Sequence, residues 1–180
     1  MEQEVASRIF SALNFLGTFP KVKDDLTPID LRDGTILLKC FHHISPNHFP
    51  LESLASWKTP VTNINDLCEL IEEYYKNSLN KTINNTFPLD AEAIAKDGSV
   101  FDLLPLIELA ILASCACENK ALFIKDILKL NDIKIQSDLK ILIEDCKERC
   151  DTYDINRRNR SDSNINTVAD IYSEELLRTQ

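Results

Sequence analysis

One stretch, VFDLLPLIELAILASCAC at residues 100–117, constrains the fold more than any other. Between Phe101 and Cys117 only Asp102 and Glu108 carry charge. Val100, Leu103, Leu104, Ile107, Ala110, Ile111, Ser114 and Cys115 follow a helical period, and Leu106, Leu109, Leu112 and Ala113 fill the gaps between them. A helix that is apolar on nearly every side has to be surrounded by other helices. Pro105 falls in an early turn, where few backbone hydrogen bonds are lost. A membrane span needs about 20 largely uncharged residues. This run is shorter and is flanked by Asp97, Glu118 and Lys120, so a central helix is expected and membrane insertion is not.

The rest of the chain supplies the surrounding helices. Residues 3–16 carry an apolar face of Val5, Ile9, Ala12, Leu13 and Leu16, which Phe10 and Phe15 widen; Gly17 and Pro20 stop it. Thr27 or Asp30 caps a short helix with Pro28 in its first turn. After Gly34, the residues Ile36, Leu37, Cys40, Phe41 and Ile44 mark another helix, ended by Ser45-Pro46-Asn47. Residues 50–57 form a connector or a single turn, with Trp57 as a core anchor. Thr62-Asn63 caps a helix whose inner face is Ile64, Leu67, Cys68, Leu70, Ile71 and Tyr74. Its Asp66, Glu69, Glu72 and Glu73 form an acidic, solvated stripe. A polar loop over 77–88 leads to a short helix over 89–95, capped near Asp90 and ended at Asp97-Gly98, and Ser99 caps the central helix. Two more helices are expected, over 121–130 and 133–150, with a bend at Asn131-Asp132. The seam of the second is Ile135, Leu139, Leu142, Ile143 and Cys146.

Strand-like alternation is scarce and there are only three glycines among 180 residues, so the fold class is all-α. Residues 1–150 make the domain. Residues 151–166 are a polar linker, and Val168, Ile171, Tyr172 and Leu176 open an amphipathic helix over 167–180, the start of a coiled coil.

The net charge of −9 argues against nucleic acid, whose phosphates need a basic face. The chain starts with a charged, amphipathic segment and no signal peptide, so a reducing compartment and six free thiols are expected. Cys115-x-Cys117 and Cys146-x3-Cys150 lack the spacing of a zinc knuckle. Adjacent His42 and His43 point in different directions on a helix, so they and His48 are a poor metal set. Cys40 and His43 stand three residues apart, close enough for a nucleophile pair, but no orienting acid has a recognisable spacing. No glycine loop could cradle a phosphate. Neither a cofactor nor an enzyme is expected.

Several pieces, in order, resemble the N-terminal domain of the Hook family, a divergent calponin-homology domain placed ahead of coiled coils in adaptors of cytoplasmic dynein. Leu13-Asn14-Phe15-Leu16-Gly17-Thr18-Phe19 resembles the family's first helix end, with Phe15 where tryptophan is usual. Residues 30–40 followed by Ile44-Ser45-Pro46-Asn47-His48-Phe49 resemble its glycine turn and I-D-P-x-x-F stretch. Trp57-Lys58 leading to Asn63-Ile64 resembles its tryptophan entry to a helix. Residues 104–116 resemble its L-x-x-L-I-L-G-C-A core helix, and Cys117-Glu118-Asn119-Lys120 its C-E-x-K turn. The resemblance covers about residues 5–146.

It implies a calponin-homology-like helical domain with extra C-terminal helices. It also implies a partner, a short amphipathic helix from the tail of the dynein light intermediate chain, docked by its apolar anchors. The family's groove pattern V-Q-x-x-V-x-x-x-I is matched by Ile135-Gln136-x-x-Leu139-x-x-x-Ile143. The implied groove is Leu128, Ile135, Gln136, Leu139, Leu142, Ile143 and Cys146, with Lys129 where the family is apolar. Gln136 would bond a backbone group of the docked helix and fix its register. The same seam could instead simply face the core. The full-length protein would be a cytoplasmic, coiled-coil homodimer associated with microtubules or the centrosome. As the alternative, calponin-homology domains also bind microtubules or actin directly. Both polymers are acidic, and the clearest basic cluster, Arg157, Arg158 and Arg160, lies outside the domain.

Overall fold

A computed structural model describes residues 2–54, 58–83 and 90–152, with the side chains of 151 and 152 excepted. Trp57 and residues 153–180, which hold the rest of the expected linker and the expected start of a coiled coil, lie outside the described residues; residues 151 and 152 of that expected linker belong to the last helix.

Among the described residues the regular elements are all helices: α1 (Glu2–Leu16), α2 (Thr35–Ile44), α3 (Pro60–Ser78), α4 (Ala91–Asp97), α5 (Val100–Ala116), α6 (Lys120–Lys129) and α7 (Ile133–Thr152), with 3-10 turns at Pro28–Leu31 and Leu51–Ser53. The central helix is α5. It touches α1, α2, α4, α6, α7 and the first 3-10 turn, and its residues from Leu106 to Cys115 are all buried. Tyr75 of α3 reaches it too, donating its hydroxyl to the Leu109 carbonyl at 2.5 Å.

The ends of the helices follow local chemistry. Thr59, not Thr62, caps α3: its hydroxyl accepts from the Thr62 N–H at 3.2 Å, and Pro60 takes the first position. Proline lacks an N–H and has a helical φ already, so the helix starts where it stands. Asn63 is buried inside that helix instead of capping it. The Asp90 side chain caps α4 as expected. Ser99 stands at the start of α5, but its hydroxyl donates to Asp102 at 2.7 Å. Asp102 also accepts from the Asp90 N–H, so one carboxylate ties the two helix starts together. Phe15 is buried as expected, but Phe10 is 66% exposed and does not widen the inner face of α1.

The corner between α4 and α5 depends on Gly98. Its φ is +63°, and a Cβ there would sit 2.9 Å from the Ile29 Cα. Gly98→Ala therefore meets both left-handed strain and rigid backbone. A loss of about 2 kcal/mol or more in chemical denaturation is the expected result.

Candidate functional site

The expected partner groove lies on α6 and α7. Asn131, with φ of 50°, turns the chain between them. Asp132 then caps α7, its side chain accepting from the N–H groups of Lys134 and Ile135 at 2.9 and 3.2 Å. At 20 residues, α7 is about 30 Å long. It lies along α1 and α5.

Most of the named groove residues point inward. Leu139, Leu142, Ile143 and Cys146 are buried in the common core, with Ile143 only 4% exposed. Leu128 and Ile135 are half-buried against its edge. Gln136 is buried, and its amide donates to the Leu128 carbonyl at 3.2 Å. It thus makes the type of bond that the resemblance assigns to it, but to α6 of its own chain. Lys129 and Ile133 are exposed beside these residues, Ile133 by 69%.

Polar contacts that periodicity did not reveal hold α7 in place. Ser7 and Ser11 of α1 both donate to Asp138, at 2.9 and 2.7 Å. Arg8 pairs with Asp145 at 3.5 Å. Glu108, buried on α5, pairs with Arg149 near the far end of α7. One of these had a signal in the sequence: a lone carboxylate in an apolar run needs a cationic partner.

The thiols belong to the packing. All six cysteines are free; five are buried and Cys68 is half-buried. Burial pushes the thiols of Cys40, Cys68 and Cys115 up to about 12. The hydrogen bond that the Cys146 thiol donates to Cys150, and then burial, hold Cys146 well above the usual thiol range. Thiolate is the reactive form, so the native chain should react slowly with a thiol reagent near neutral pH and release the full six equivalents only on denaturation. Rapid modification of Cys40 in the native state would contradict this packing. Among the described residues no three histidine, cysteine, aspartate or glutamate side chains gather as a metal site requires.

The family model of the HOOK domain matches residues 7–145. Protein Hook homolog 2 of Mus musculus is 25% identical over 140 residues, which cover 73% of this chain and 20% of that protein. Protein hook of Anopheles gambiae is 26% identical over 124 residues, covering 64% of this chain and 18% of its own length. The chain thus spans about a fifth of the length of the curated relatives it matches. The fold is similar to the solution structure of the conserved domain of HOOK1 protein from mouse, with a TM-score of 0.70 at 20% identity, over 79% of this chain and 92% of that one.

Proposed function

Because the chain belongs to the Hook family, we propose that it is a non-enzymatic adaptor domain for microtubule-based transport, and that its partner is a helix from the tail of the cytoplasmic dynein light intermediate chain. The observation that carries this reading is the seam of α7. It has apolar residues at Ile135, Leu139 and Ile143, with Gln136 beside them and half-buried Leu128 across the α6–α7 turn. That is the spacing a docked amphipathic helix would use for its anchors.

The burial of this seam adds a requirement. Leu139 and Ile143 now face α1 and α5, so a partner helix can reach them only if α7 shifts outward. The affinity measured is then reduced by the cost of that shift. The bonds from Ser7 and Ser11 to Asp138 and the Arg8–Asp145 pair set part of this cost.

Isothermal titration of the chain with a peptide of the light intermediate chain tail tests the proposal. Saturable one-to-one heat is the expected result. Folded protein that gives no heat at high concentration would overturn it.

A further inference from the structure

A cleft opens where α1 ends and α6 turns into α7, beside the Leu128–Ile135 end of the seam. It has a volume of about 260 Å³ and lies outside the α7 seam. Leu13, Leu26 and Leu130 form its apolar wall, and Phe10 stands at its rim, 66% exposed. Leu13 and Leu26 are themselves buried, so Phe10 and half-buried Leu130 carry the apolar surface that a ligand would meet. The opposite lip is acidic, made by Asp24 and Asp25, both exposed.

The chain builds this lip deliberately. At Gly17 a Cβ would meet the Leu13 carbonyl at 3.2 Å and the Lys23 carbonyl at 3.3 Å, so the missing side chain lets the loop fold back against the end of α1. Asp25 holds a left-handed φ of 54° in that loop. Lys23, the nearest cation in sequence, is paired with Asp30 at 3.3 Å. None of the side chains lining the cleft is basic. The two carboxylates are therefore left facing an apolar recess without a cation of their own.

We propose that this cleft docks a peptide segment in which large apolar side chains alternate with lysine or arginine. The apolar side chain would enter against Leu13, Leu26 and Leu130 under Phe10, and the cation would meet Asp24 and Asp25. None of the residues lining this cleft is one of the groove residues of the α7 seam.

The test is an NMR titration of the isotope-labelled 180-residue chain with two capped twelve-residue peptides. Both carry leucine at every second position; the positions between are lysine in one and glutamate in its twin. The lysine peptide should shift the amides of Asn14, Gly17, Thr18 and Leu130, and the glutamate twin should not. Asp24→Asn with Asp25→Asn should weaken binding about five- to tenfold, since exposed ion pairs each contribute a small factor. Asparagine is isosteric and tolerates the left-handed φ, so the loop keeps its shape. Phe10→Ala, a change at an exposed side chain, should weaken binding as well. Equal binding of the glutamate twin, an unchanged Kd in the double asparagine variant, or shifts centred on Ile135–Ile143 would each overturn the proposal. So would shifts at the cleft that depend on protein concentration alone, since the occupant would then be a second copy of this chain.

Discussion

Leu109→Ala should cost about 3–5 kcal/mol of folding stability, measured by urea denaturation with an unchanged m-value. Leu109 is fully buried on the helix that α1, α2, α4, α6 and α7 all pack against, and α3 reaches it through Tyr75. Removing three carbons there loses their transfer free energy and leaves a cavity that helices on several sides cannot all collapse into. The bond from Tyr75 goes to the Leu109 carbonyl, so it survives the substitution and the loss reports packing alone. Domains of this size are stable by about 5–15 kcal/mol, so one side chain would remove a large share. Leu122→Ala is the control. That residue is 63% exposed on α6, and its truncation should change stability by about 0.5 kcal/mol or less. A small loss at Leu109 would mean that α5 is not the centre of the fold.

The central helix was legible because a run without a polar face allows only one placement. Helix ends were legible wherever the capping side chain was unambiguous, as at Asp90, and misplaced where two candidates competed. Thr59 won over Thr62 because Pro60 fixes the first turn. Phe10 was misassigned because α1 is covered on one side only; Ile9 and Leu13 meet the core, while the next position round the helix looks outward. The groove was hardest to read. An apolar seam on the last helix has the same composition whether it faces its own core or a partner, so periodicity leaves both open. The Ser7 and Ser11 bonds to Asp138 join residues more than a hundred positions apart, and no local pattern encodes them.

That ambiguity gives the second large effect its meaning, because packing and partner docking predict opposite signs at α7. Asp138→Ala removes the acceptor for both serine hydroxyls, bonds to a charged group worth about 1–3 kcal/mol. Asp138 lies off the apolar seam, so the partner helix loses no anchor. If α7 must shift to admit that helix, the variant is less stable alone yet binds the light intermediate chain peptide more tightly, by about tenfold for each 1.4 kcal/mol removed from the cost of the shift. Ile143→Ala also loosens α7, since Ile143 is buried against the core. Were Ile143 only a core residue, this variant would likewise bind more tightly. As a groove anchor it should bind about tenfold or more weakly despite the looser helix, and Ile143→Asp should abolish the heat altogether. Circular dichroism at the titration temperature checks that each variant is folded, above all Ile143→Asp, which puts a carboxylate into the core. Tighter binding in Asp138→Ala together with weaker binding in Ile143→Ala is the expected pair of results. If both variants bind more tightly, α7 shifts for the partner but Ile143 is a core residue and no anchor; if neither changes the affinity, the partner docks away from α7.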